Sequence, residues 1–123
     1  MYTRKILEQI KPFLKTDDVL LFYGARQVGK TTIMKLIQQD LKEKSIFFDL
    51  ERREHLDIVN TYDQEDFIRN IKLHYSWKED EKIVIFIDEV QYLDNPTSFL
   101  KYLHDHYENI KFIVSGSSTL DIR

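Results

Sequence analysis

Two periods of apolar residues alternate along this chain. Short apolar runs bounded by charge, Val19–Tyr23, Ser45–Leu50, Ile83–Ile87 and Ile110–Val114, predict strands. Between them, apolar residues recur at helical spacing. Ile33, Met34, Leu36, Ile37 and Leu41 predict a helix over Lys30–Leu41, and Phe67, Ile68, Ile71 and Tyr75 predict one over Gln64–Tyr75 with Asp63 as its cap. Asn95-Pro96 is a helix start, with Asp94 or Asn95 capping, and Phe99, Leu100, Leu103 and Tyr107 continue its stripe to about His106. An amphipathic helix from about Thr3 to Ile10 precedes the first strand, interrupted by Pro12. The stretch Arg52–Asn60 is too mixed to assign. Strands alternating with helices predict an α/β domain with a parallel sheet, and the unbroken apolar run Ile83–Ile87 suits a strand buried on both faces.

The decisive chemistry lies where the first strand meets the first long helix. Gly24-Ala25-Arg26-Gln27-Val28-Gly29-Lys30-Thr31 has the spacing G-x-x-x-x-G-K-[ST] of a phosphate-binding loop, followed by Thr32. Such a loop turns backbone N–H groups around a polyphosphate, and glycines permit that backbone and the close approach. The helix adds the positive end of its dipole beneath the phosphates. Lys30 is expected to reach the β- and γ-phosphates and Thr31 to ligate Mg²⁺. Two of the three glycines in the chain, Gly24 and Gly29, are spent here.

A second cluster closes the third strand. Asp88 and Glu89 at the end of a buried strand are costly unless a cation arrives there. With a phosphate loop upstream that cation is Mg²⁺, held by Asp88 through water, while Glu89 polarises the attacking water. The fourth strand runs into Ser115-Gly116-Ser117-Ser118, and a hydroxyl at that carboxyl end can sense the γ-phosphate or orient the water. Other polar residues read as ordinary surface: Arg4 and Lys5 as a solvated helix face, Asp49 and Glu51 as loop carboxylates. His104 and His106, two apart on a helix, make a poor metal pair.

Composition narrows the alternatives. A length of 123 residues suits one domain with a single core, and the absence of cysteine excludes a disulfide framework, a thiol nucleophile and a thiolate metal site. A net charge of −3 leaves no overall footprint for nucleic acid. No apolar run reaches membrane-spanning length and the N-terminus lacks a signal-peptide core, so a cytoplasmic location is the expectation.

Taken in order, GARQVGKTT, IVIFIDEVQYL and FIVSGSS resemble the AAA+ division of P-loop ATPases. The wording is similar to predicted archaeal and bacterial AAA+ ATPases that carry an additional C-terminal domain of unknown function. The resemblance implies Lys30 and Thr31 as Walker A residues, Asp88 and Glu89 as the Walker B pair of the ASCE branch, and Ser115 or Ser117 as sensor 1. It implies a three-layer P-loop fold with strand order 1-4-3-2, and ATP rather than GTP. On that reading residues 1–17 form a leading helix and turn, and 18–123 a nucleotide-binding core. The fifth strand, the helical lid, the sensor 2 arginine and the C-terminal domain of the family have no counterpart before Arg123. An arginine finger would come from a neighbouring subunit. The first strand, lacking the fifth as neighbour, is then an exposed edge able to pair with another copy.

Two functions follow. The first is an ATP-binding, Mg²⁺-dependent ATPase serving as motor or switch of a larger protein. The second is a nucleotide-gated interaction module with little hydrolysis, against which Glu89 argues. A small-molecule kinase needs an acceptor site and a basic lid, and neither is evident.

Overall fold

In the computed structural model, which describes residues 8–16, 18–24 and 29–117, the four apolar runs pair into one parallel sheet. The strands are β1 (Leu20–Gly24), β2 (Lys44–Asp49), β3 (Ile83–Asp88) and β4 (Ile110–Ser117), and they stand in the order β1-β4-β3-β2. That is the order expected of a P-loop fold. Helices α1 (Lys30–Asp40), α2 (Arg53–Val59), α3 (Gln64–Tyr75) and α4 (Pro96–His106) connect them. Short 3₁₀ helices occupy Lys11–Lys15 and Val90–Tyr92. Of the leading helix, Glu8–Ile10 are helical, and the rest lies outside the described residues.

Three layers follow from alternation along the strands. Ile83, Ile85 and Ile87 of β3, Ile46 and Phe48 of β2, and Phe112 and Val114 of β4 face a core completed by Val59, Phe67, Ile71, Phe99 and Leu103 from α2, α3 and α4. Val84, Phe86 and Ile113 face the other way, onto Met34 and Ile37 of α1 and onto Ile10. Every residue of β3 is buried, as its unbroken apolar run predicts. Phe48 is fully buried and meets Phe67 and Tyr75 edge-on, at 6.1 and 5.9 Å between ring centroids. Burying a side chain of this size contributes about 1.5–3 kcal/mol.

The boundaries depart from the sequence pattern where tertiary pairing intervenes. β4 extends past Val114 through Ser115, Gly116 and Ser117, although these residues look like a turn. Its register with β3 ends at Ile87↔Val114, but its register with β1 continues to Gly24↔Ser117. Backbone hydrogen bonds to β1 therefore hold a polar segment in the sheet. The unassigned stretch Arg52–Asn60 contains α2, whose first turn is charged and which buries Val59 alone. A helix that short carries too little periodicity to be read. α3 and α4 start as the pattern predicts, with Asp63 accepting the N–H of Glu65 and Asn95 that of Ser98. Among the described residues strand β1 is an edge, and Leu21 and Tyr23 on it are 37% and 51% exposed. Among the described residues no helix is long and apolar enough to cross a membrane.

α3 is joined to α4 and the residue that follows it by a polar clamp. Tyr102 donates its hydroxyl to one Glu65 oxygen at 2.6 Å, and Tyr107 donates to the other at 2.5 Å. These bonds, Tyr102 first, hold the Glu65 carboxyl below its usual range, and the same contact holds the Tyr102 hydroxyl above its own. A carboxyl lowered by folding stabilises the fold above its unfolded pKa, about 4.3, and that contribution is lost as pH falls through the lower folded value. The melting-temperature gap between the native chain and Glu65→Gln is therefore expected to be widest near neutrality and to close on acidification below about pH 4. A gap that stays constant from neutral pH into that range would show that the clamp contributes no proton-linked stability.

Candidate phosphate and metal site

The site forms where the carboxyl ends of β1, β3 and β4 meet the first turn of α1. Gly29 caps α1 in the left-handed region, at φ 76°, and its carbonyl accepts the N–H of Ile33 at 3.1 Å to begin the helix. A Cβ added at Gly29 would meet nothing within 4 Å, so glycine is required by the backbone angle and not by lack of space. Gly24 ends β1 opposite Ser117. Ala25, Arg26, Gln27 and Val28 lie outside the described residues.

Lys30, in the first turn of α1, is 4% exposed. Its ammonium donates to the carbonyl of Gly116 at 2.6 Å. Thr31 stands beside it and donates its hydroxyl to Asp88 Oδ2 at 2.6 Å. Thr32 is exposed on the helix. Asp88 and Glu89 are 4% and 7% exposed, at the end of the wholly buried β3. Ser115, fully buried, donates to Asp88 Oδ1 at 2.5 Å and accepts the backbone N–H of Glu89 at 2.8 Å. Asp88 thus receives a hydroxyl on each oxygen, which offsets the cost of burying a carboxylate, several kcal/mol when uncompensated. Glu89 itself adopts a left-handed backbone, φ 62° and ψ 55°, where the chain leaves the strand for the Val90–Tyr92 turn.

Of the two serines, Ser115 is the one bonded to the acidic pair. Ser117 donates its N–H at 3.3 Å to the amide oxygen of Gln91, whose Nε2 in turn donates to Glu89 Oε1 at 2.6 Å. Gln91 and the Gly116 carbonyl were not legible as site components. Gln91 follows the acidic pair closely in sequence, but its aim depends on the 3₁₀ turn and on β4 running on to Ser117. Asp49, expected in a loop, is instead the last residue of β2 and stands in register with Asp88; its Oδ1 accepts the N–H of Glu51 at 3.1 Å, while its own N–H donates to His55 Nδ1 at 2.8 Å. His104 and His106 are exposed on α4, away from these groups.

The donor set suits a hard divalent cation: a hydroxyl and a carboxylate oxygen already in contact, beside a helix N-terminus that favours anions. Among the described residues no three His, Asp or Glu side chains cluster as metal ligands. A cation held by Thr31 and Asp88 could complete its shell with phosphate oxygens and water, as Mg²⁺ commonly does.

Comparison with known proteins bears on the family and the fold. The family model of the AAA domain matches residues 16–123. The uncharacterized protein MJ1637 of Methanocaldococcus jannaschii is 30% identical over 128 residues, covering 94% of this chain. The chain spans 25% of the length of that relative. Among solved structures, a chain in the structure of Drosophila ORC bound to AT-rich DNA and Cdc6 aligns with TM-score 0.64 at 11% identity, covering 94% of this chain and 46% of its own. The structure of C. elegans PCH-2 aligns with TM-score 0.58 at 18% identity, covering 97% of this chain and 36% of its own. The buried lysine with the threonine beside it, the acidic strand end, the strand order and the family match lead to one assignment: the chain belongs to the AAA domain family.

Proposed function

We propose that this chain binds ATP and hydrolyses it with Mg²⁺, as the motor or switch module of a larger AAA+ type protein. The observation that carries the proposal is convergence: Lys30 of α1 bonds Gly116 of β4, Thr31 of α1 bonds Asp88 at the end of β3, and Ser115 of β4 bonds both Asp88 and the backbone of Glu89. Gly24 to Thr32 would wrap the phosphates with backbone N–H groups, and Lys30 would turn its ammonium from the Gly116 carbonyl to the β- and γ-phosphates. Mg²⁺, when bound, would supply charge neutralisation at the phosphates, with Thr31 and Asp88 as its protein ligands. Glu89 would accept a proton from the attacking water as general base. Ser115 supports both acidic residues at once, holding Asp88 by its hydroxyl and Glu89 by its backbone, which suits a sensor 1 role. Ser117 would contribute through its backbone N–H.

A module of this kind stabilises the charge of phosphoryl transfer with an arginine, worth about 10³–10⁵ in rate. We assign that group to a neighbouring subunit. A C-terminal domain in the parent protein would receive the conformational change. The runner-up, a nucleotide-gated interaction module with little hydrolysis, draws support from the engagement of Glu89 by Gln91. A location in the cytoplasm remains part of the proposal.

Three substitutions divide the roles. Lys30→Ala is expected to weaken ATP·Mg binding at least about tenfold in calorimetry, through loss of a charge-assisted contact. Equal affinities would remove the phosphate-loop reading. Glu89→Gln is expected to keep affinity and abolish hydrolysis, and undiminished turnover would assign water activation to another residue. Ser115→Ala leaves the Glu89 N–H and one Asp88 oxygen without their bonded hydroxyl, so urea unfolding is expected to show a loss of about 1–3 kcal/mol even without nucleotide. An unchanged unfolding free energy would mean that Ser115 is no support for the acidic pair.

A further inference from the structure

We propose that Gln91 is a positioning residue that ties the Glu89 carboxylate to the resting position of Lys30, through the peptide joining Gly116 to Ser117, and loosens it when nucleotide draws Lys30 away. The proposal rests on the ATP-binding reading above. The two bonds that meet on β4 belong to a single peptide unit. Its carbonyl, that of Gly116, accepts Lys30 Nζ at 2.6 Å, and its N–H, that of Ser117, donates to Gln91 Oε1 at 3.3 Å. Gln91 Nε2 then donates to Glu89 Oε1 at 2.6 Å. The chain of donors and acceptors therefore runs unbroken from an ammonium to a carboxylate: Lys30, peptide, primary amide, Glu89.

The direction of every bond in this chain is determined. A carboxylate only accepts and a backbone N–H only donates, so the Gln91 amide has one orientation that satisfies both neighbours. The ends are opposite charges, and each bond polarises the next in the same sense. A cation on the Gly116 carbonyl makes the Ser117 N–H a better donor, which in turn strengthens the hold of Gln91 on Glu89.

The surrounding scaffold leaves the side chains as the adjustable parts. Val90 and Leu93, which flank Gln91 and Tyr92, are buried in the core, and Tyr92 and Leu93 close the turn onto the carbonyls of Glu89 and Val90 at 3.1 Å each. The Glu89 backbone is held by Ser115 at 2.8 Å. What remains adjustable is the Glu89 carboxylate, and Gln91 holds one of its two oxygens. A phosphate oxygen is a stronger acceptor for an ammonium than a neutral carbonyl. Polyphosphate in the loop therefore draws Lys30 off Gly116, the peptide loses the cation that polarises it, and the amide relaxes. Cooperative strengthening is about 10–30% per bond, so the relay biases the Glu89 orientation and does not lock it. Glu89 is held back while the loop is empty and becomes free to meet water once phosphate is present.

The test is ¹⁵N–¹H NMR of this chain, reading proton exchange of the Gln91 side-chain amide against that of the exposed Gln39. In the ligand-free chain, Lys30→Met is expected to speed Gln91 exchange up to about fivefold, the factor that corresponds to losing one hydrogen bond, and to shift the Ser117 N–H upfield. Lys30→Arg, which keeps a cation, is expected to retain slow exchange. A non-hydrolysable ATP analogue with Mg²⁺ is expected to move native Gln91 in the same direction as Lys30→Met. Exchange that ignores Lys30→Met, or an analogue that binds and leaves Gln91 unmoved, overturns the relay and makes Gln91 a structural amide. Failure of the analogue to bind, with the expected response to Lys30→Met, supports the relay and defeats the nucleotide reading instead.

Discussion

The carboxylate of Asp88 sets the terms for the rest of the site. It sits at the end of a strand buried over its whole length, where an uncompensated charge is costly. Two hydroxyls meet it, Thr31 from the start of α1 and Ser115 from within β4. Both must arrive together, and that requirement relates the helix after β1 to the strand beside β3. The placement of β4 between β1 and β3 is what makes the meeting possible. In chain order β4 comes last of the four strands, yet its Ser115 stands next to a residue of the third.

The same placement explains why the carboxyl end of β4 is polar but ordered. Pairing with β1 continues to Ser117 after pairing with β3 has ended, so the Gly116–Ser117 peptide lies where β4 is ordered by β1 and no longer registered with β3. A trans peptide points its C=O and N–H in opposite directions, so Lys30 and Gln91 attach to it from opposite sides. Two residues with positive φ frame this region, Gly29 at the start of α1 and Glu89 at the end of β3. Glycine adopts that conformation without cost, whereas for Glu89 it costs about 1–2 kcal/mol. The buried Val90 and the bond from the Glu89 N–H to Ser115 supply the surroundings that hold it there.

Distance from the site changes the character of the polar interactions. Around Asp88 they are buried and shared between elements distant in sequence. Glu65, by contrast, is part-buried and held by two tyrosine hydroxyls, joining α3 to α4. Exposed ion pairs such as Arg53–Asp57 and Lys101–Asp105 lie within single helices and contribute a few tenths of a kcal/mol each.

The sequence by itself determined the local parts. Apolar runs bounded by charge marked the four strands, and helical spacing marked α1, α3 and α4, because burial on a strand or helix face imposes its period directly on the residues. The phosphate loop was legible because its glycines, lysine and threonine are contiguous, and the acidic pair because charge after a buried run is costly. Tertiary structure alone decided which serine meets Asp88, how far β4 runs, and where Gln91 points. Those depend on pairing between segments far apart in the chain. Neither a residue's type nor its neighbours in sequence records which strand will lie beside it. Helix α2 escaped notice for a related reason: it buries only Val59, so its place rests on packing against β2 and α3 rather than on a stripe of its own.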